Sequence, residues 1–336
     1  MPNAVIVDVV RTAGGRRNGV LSGWHPVDLA AEVLMALQKR NNLDPSLVDD
    51  VIMGCVMQVG AQGLNIGRNA VLAAGWPDSV PATTIDRQCG SSQQAYTFAA
   101  QGVMAGAYDV VVAAGVEEMS LVPMGASVSK GVGFPFTEGM NDRYIDQGGL
   151  VPQGISAEMI ADQWGLSRED LDAFGARSQQ FAERARDEGR FDNEIIPVQG
   201  RRRDKETGEV TIEDAPVTQD EGIRPGTTAE GLAKLKPAFK PDVGKVTAAN
   251  SSQITDGASA ALIMSEEKAA ELGLTPRARF HAFSLAGVNP VTMLTGPIPS
   301  TQKVLARAGM SVDDIDLFEL NEAFASVVLA WKADMG

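Results

Sequence analysis

A chain of 336 residues, 44% hydrophobic and with a mean hydropathy of −0.05, is long enough for one large or two medium water-soluble domains. Its formal charge of −14 argues against nucleic acid as a general partner, because phosphate backbones are bound by basic surfaces. Two cysteines provide neither a disulfide framework nor metal-ligand spacing, so no metal is expected and a reducing, cytoplasmic setting is. The first residues, Met1-Pro2-Asn3-Ala4-Val5, lead straight into a strand pattern without the basic and apolar regions of a secretory signal. No apolar run reaches membrane-spanning length.

In chain order, residues 5–10 read as a strand and 28–39 as a helix, with Leu29, Val33 and Leu37 at four-residue intervals on one face. A strand is expected over 51–56, where Cys55 reads as core packing. Helices follow at 65–74 and from the Cys89 region to about Met104. The uninterrupted apolar run at 109–114 suits a strand buried on both faces of a layered α/β protein. From 117 to 245 glycine, proline and charge increase around one amphipathic helix at 167–188, which suggests an insertion. Basic residues gather between Arg201 and Lys245, although Asp204, Glu206 and Glu209 make the first part of that run a mixed-charge surface. Strands are expected again at 259–264, 279–286 and 315–320, and helices at 300–307 and 321–332.

Val48-Asp49-Asp50-Val51 is echoed by Val312-Asp313-Asp314-Ile315, each after a helix and before a predicted strand, so the chain reads as two duplicated halves. The first half continues through the Cys89 helix to a buried strand. The second stops at Gly336, soon after one helix, and is expected to be incomplete with an uncovered sheet edge.

Cys89 lies in Asp86-Arg87-Gln88-Cys89-Gly90-Ser91-Ser92, ahead of a predicted helix. Unpaired N–H groups at a helix start favour a thiolate, so Cys89 is the candidate nucleophile, and Arg87 adds a nearby positive charge. Four other segments concentrate small polar residues at turns: Gln153-Gly154-Ile155-Ser156-Ala157-Glu158, the run from Val246 through Asn250-Ser251-Ser252-Gln253 to Ala258, Gly296-Pro297-Ile298-Pro299, and Asn321-Glu322-Ala323-Phe324.

In this order and at these spacings, from Val5 to Trp331, the five motifs resemble the thiolase family, the coenzyme A-dependent acyltransferases that cleave or form 3-oxoacyl-CoA. The resemblance implies an αβαβα layered core, with 1–117 and 246–266 as the N-terminal half, 118–245 as a coenzyme A-binding loop domain and 267–336 as a truncated C-terminal half. It implies Cys89 as the acylated nucleophile and Asn321 as the holder of an oxyanion-hole water. It further implies Ser252 at the pantetheine arm, Arg224 near the nucleotide, and Phe239 and Phe324 along the pantetheine tunnel. Coenzyme A enters as substrate with no permanent cofactor, and a homodimer or homotetramer is implied.

Departures from the family pattern are equally specific. A Gly-His-Pro histidine and a later Cys-x-Gly cysteine are absent, and the only histidines, His25 and His281, lie in unrelated regions. An impaired enzyme is therefore expected, because such groups act as a unit. The competing reading is a non-catalytic chain that binds coenzyme A or a partner. A related decarboxylating ketoacyl synthase is disfavoured by the histidine count. Acyl chain length depends on pocket shape and is not legible in the sequence, while the motif variants favour the degradative branch.

Overall fold

The computed structural model describes residues 2–128 and 133–336. The chain divides into two compact units, each built from three separated segments: Met1–Val132, Gly189–Gly222 and Ile254–Phe280 in the first, and Gly133–Glu188, Ile223–Gln253 and His281–Gly336 in the second. The three-part division expected above follows sequence character, whereas these units follow packing.

The first unit contains β1 (Ala4–Arg11), β2 (Gly15–Arg16), α1 (Pro26–Asn41), β3 (Asp50–Gly54), α2 (Ile66–Ala73), β4 (Ala82–Ile85), α3 (Ser91–Met104), β5 (Val110–Glu118), β6 (Val198–Arg203), β7 (Val210–Val217) and β8 (Thr255–Ser265). The second unit's helices are α4 (Glu138–Asp142), α5 (Gln153–Gln163), α6 (Arg168–Asp187), α7 (Ala229–Leu232), α9 (Pro297–Ala308) and α10 (Ala325–Met335); α8 (Glu266–Glu271) and β9 (Ala278–Arg279) belong to the first.

A mixed seven-stranded sheet runs β4-β3-β5-β8-β1-β9, with β2 pairing β8. β3, β4 and β5 are parallel, and β8 runs antiparallel to both β5 and β1. Val110, Val112 and Ala114 of β5 share one core with Leu29, Val33 and Leu37 of α1. Val111 and Ala113, pointing the other way, are equally buried, and α3 packs on β3, β5 and β8. The continuous apolar run is thus a strand covered on both faces, as expected. The Arg11 guanidinium ties the distant segment 189–222 to this unit by bonds to Glu194 and Asp220, both at 2.7 Å. His25 is occupied in capping α1, its Nδ1 accepting from the Val27 amide.

β5 and β8 also bring two carboxyl groups together, because Glu118 and Asp256 are register partners and both are fully buried. Neither oxygen of Glu118 meets a donor. Desolvation, followed by the charge of Asp256, pushes the Glu118 carboxyl up to about 10. Asp256 is also raised by burial, although the Ser120 hydroxyl and amide donate to it. The folded chain therefore binds a proton at Glu118 that the unfolded chain, titrating near 4.5, gives up. Stability from this group is complete below that value and is lost as pH rises toward the folded pKa, by at most about 1.4 kcal/mol per pH unit. Glu118→Gln, which keeps a donor facing Asp256, is expected to flatten this decline between pH 5 and 9 in urea-unfolding series. Parallel slopes for the variant and the native chain would exclude it.

The second unit departs from expectation. Residues 279–286 and 315–320 form no ladder beyond Ala278–Arg279 on β1, and among the described residues this unit contains no named strand. The reason lies in topology. In the first unit β1 and β3 do not touch, since β5 and β8 stand between them. Apolar sequence alone does not make a strand without a partner.

The internal echo survives with a shifted register. α1 ends on left-handed Asn42, Asp44 caps a 3-10 turn at Pro45–Leu47, and Val48 follows extended; α9 ends on left-handed Gly309, Ser311 caps a 3-10 turn at Val312–Asp314, and Ile315 follows extended. Val48 therefore corresponds to Ile315 rather than Val312. No helix among the described residues is long and apolar enough to cross a membrane.

Candidate active site

Cys89 stands in the turn between β4 and α3, beside the carboxyl ends of parallel β3, β4 and β5. The local sequence builds this turn closely. Gly90 caps α3, the Gly90 amide donates to the Arg87 carbonyl, and both the Ser91 amide and hydroxyl donate to the Gln88 carbonyl. The Ser91 hydroxyl also accepts from the Arg87 amide at 2.9 Å. Two amides expected to face the sulfur are thus already engaged, which corrects the simple picture of an open helix end. Gln88 adopts φ +49°, a left-handed conformation that non-glycine residues rarely take. Strain at the residue preceding a candidate nucleophile marks a position fixed by its surroundings. Cys89 itself is exposed.

Two glycines set the depth of this turn. A Cβ added at Gly54 would fall 2.5 Å from the Ser92 nitrogen and 2.7 Å from the Ser91 carbonyl carbon. One added at Gly115, the register partner of Gly54 on β5, would collide with the Ser92 side chain. The start of α3 therefore rests directly on the backbone of two adjacent parallel strands. Sequence reading missed both glycines; the signal available was a glycine ending one apolar strand and another interrupting the next.

Cys55 is buried where Cys89 is exposed. It is 1% exposed, and desolvation, then the charges of Glu117 and Asp86, push its thiol up to about 12. Native-state iodoacetamide at pH 8 is expected to label Cys89 and leave Cys55 unmodified; peptide mapping that finds both labelled at similar rates would refute this.

The remaining predicted residues, Asn321, Ser252, Arg224, Phe239 and Phe324, belong to the second unit. Two segments are bound together there. The Ser252 amide donates to the Ala323 carbonyl and the Ala325 amide to the Asn250 carbonyl, each at 2.9 Å, with Ser251 and Phe324 forming an isolated bridge. Ser252 and Asn321 are both exposed. Buried Phe324 meets the ring of Phe239 edge-on at 6.0 Å, and a Cβ on Gly154 would strike that ring, which explains the glycine in the Gln-Gly-Ile-Ser motif. Arg224 is exposed on a loop pinned to α6: its amide donates to Gln179, the Gly226 amide to Glu183, and Gln180 to the Thr227 carbonyl. His281 is exposed. Among the described residues no group of His, Cys, Asp and Glu could hold a metal ion.

Two family models match, one described as thiolase, N-terminal domain, over residues 4–267, and one as thiolase, C-terminal domain, over residues 274–336. The chain is 46% identical to a steroid 3-ketoacyl-CoA thiolase, FadA6, of Mycobacterium tuberculosis, covering all of this chain and 80% of that protein. It is 47% identical to a 3-ketoacyl-CoA thiolase of Aliivibrio fischeri, covering all of this chain and 84% of the relative. Among solved structures, an acetyl-CoA acetyltransferase of Bacillus anthracis superposes with a TM-score of 0.85 at 38% identity, over 100% of this chain and 84% of that one. The expected truncation and impairment are not supported by these comparisons. A C-terminal domain model is matched, and the relatives that carry thiolase names align along the whole chain. Nor do they support the non-catalytic alternative. The chain belongs to the thiolase family, acyltransferases that take coenzyme A as a substrate.

Proposed function

We propose that this chain is a 3-oxoacyl-CoA thiolase acting through an acyl-Cys89 intermediate. The Cys89 thiolate attacks the keto carbon, the bond to the α-carbon breaks, and acetyl-CoA leaves as an enolate that takes up a proton. The thiol of free coenzyme A then attacks the acyl-cysteine and releases the shortened acyl-CoA. One thioester replaces another, so the transfer step is near balance and the condensing direction is open too. Asn321 holds a water toward the developing oxyanion, where a fixed donor acts most strongly on charge that forms during reaction. Ser252 meets the pantetheine arm, Arg224 the nucleotide end, and Phe239 with Phe324 the apolar part of the arm, with 118–245 serving as the loop domain that receives coenzyme A. Degradative use in the cytoplasm, by a homodimer or homotetramer, completes the reading.

The observation that carries it is the exposed Cys89 in a left-handed capping turn at the carboxyl ends of three parallel strands. Ligands of open α/β sheets gather at such ends. The names of the relatives agree with it. The test is incubation with acetoacetyl-CoA. An acyl adduct mapped to Cys89, discharged to acetyl-CoA on adding coenzyme A, is the expected result. No adduct while coenzyme A still binds would overturn the reading.

A further inference from the structure

The segments carrying Ser252 and Asn321 are exposed, yet what holds them is buried. Asn250 is 4% exposed and Asp172, on α6, is 2% exposed. The Asn250 side chain makes three hydrogen bonds inside the second unit, with both its oxygen and its nitrogen engaged. Its Oδ1 accepts from the Thr247 amide at 2.8 Å, and its Nδ2 donates to Asp172 Oδ1 at 2.9 Å and to the Lys245 carbonyl at 3.1 Å. Its own carbonyl receives the Ala325 amide, one of the two bonds that fasten residues 250–252 to residues 323–325. Asp172 Oδ2 in turn accepts from Arg168 Nε at 2.7 Å, and Arg168 donates onward to the Leu232 and Leu235 carbonyls. The network is thus satisfied from α6 to the loop.

A buried carboxylate is costly unless it is paired and hydrogen-bonded, and an amide-to-carboxylate bond is stronger than one to a neutral acceptor. Ordinary loop packing does not call for a charge here. We propose that Asp172 is a positioning residue that acts through Asn250 to fix the spacing between Ser252 and Asn321, and so the seat of the coenzyme A arm. This rests on the thiolase reading above. Displacement of the order of 1 Å in such a seat weakens binding and catalysis strongly, because the ligand groups are held by short contacts.

The test uses coenzyme A itself, with dissociation constants measured by calorimetry on the full chain. Asp172→Asn and Asn250→Asp are each expected to weaken coenzyme A binding about tenfold, the size of one lost charge-assisted bond. The reversed pair, Asp172→Asn with Asn250→Asp, exchanges the two groups, so that an amide on α6 donates to a carboxylate on the loop. It shares with Asn250→Asp the loss of the Lys245 contact and no longer offers Arg168 a carboxylate, yet it restores an amide-to-carboxylate bond between 172 and 250, so the double variant is expected to bind several-fold more tightly than Asn250→Asp. The rate of Cys89 alkylation should not change in any of them. A purely structural role would lower the unfolding temperature and leave the dissociation constant within twofold of native; that result, or a double variant no better than Asn250→Asp, overturns the proposal. Should the single variants not fold, Asp172→Glu keeps the charge and shifts the carboxylate by one methylene, and unchanged binding there would also overturn it. A native chain that does not bind coenzyme A would instead remove the thiolase reading, and this inference with it.

Discussion

Cys89→Ala is expected to lower acyl transfer from acetoacetyl-CoA to coenzyme A by at least about 10⁴-fold, because a covalent route has no substitute for its nucleophile. Cys89 is exposed and outside the packed core, so the unfolding temperature should stay within roughly 2 °C of native and coenzyme A should still bind. The useful comparison is Cys89→Ser. It keeps a hydroxyl in place but loses the polarisable, easily ionised sulfur, and it should be nearly as inactive. Steady-state thiolysis, followed by loss of the 3-oxoacyl thioester absorbance, reads both. Residual activity above about 1% of native in the alanine variant would show that another group carries the acyl chain.

The second large effect concerns a residue with no side chain. Gly54→Ala places a methyl group 2.5 Å from the Ser92 nitrogen, and the obstacle is helix backbone, which cannot rotate away. A loss of about 3 kcal/mol in urea unfolding is expected, at the upper end of overpacking in a dense core. The start of α3 must move, and the Cys89 turn with it, so thiolysis per folded molecule should fall by about a hundredfold. Gly287→Ala is the control: its added methyl group meets nothing within 4 Å and its φ is not left-handed, so it should be neutral or slightly stabilising. Equal stability of the two variants would show that α3 can shift freely.

Helix α1, strand β5 and the position of Cys89 were legible in the sequence because each depends on local pattern: apolar residues at helical spacing, an unbroken apolar run, and small residues at a cap. What depends on partners was not. β4 is four residues of mixed exposure, Ala-Thr-Thr-Ile, recognisable only once β3 lies beside it. The β6–β7 hairpin pairs Arg201, Arg202 and Arg203 with Ile212, Thr211 and Val210, so its charge run reads as loop until the second strand is seen. The converse error occurred at 279–286 and 315–320, where apolar pattern without a neighbouring strand produced no ladder. At the candidate site, sequence named Cys89, Asn321, Ser252, Arg224, Phe239 and Phe324. It missed Gly54, Gly115 and Asp172 and gave Asn250 no role beyond its motif, because what these residues touch lies far along the chain, as in the Asp172–Asn250 bond spanning 78 residues.

The order of strands in the sheet has a consequence for biosynthesis. β1, Ala4–Arg11, leaves the ribosome long before its main partner, β8, Thr255–Ser265, and β8 is also the strand that closes the free side of β5. Until β8 has been made, two of the most apolar strands each present an open edge, and loop closure of this length is slow. Nascent chains halted before residue 255 should therefore be bound by holdase chaperones and be sensitive to protease, and they should gain protection together once β8 emerges.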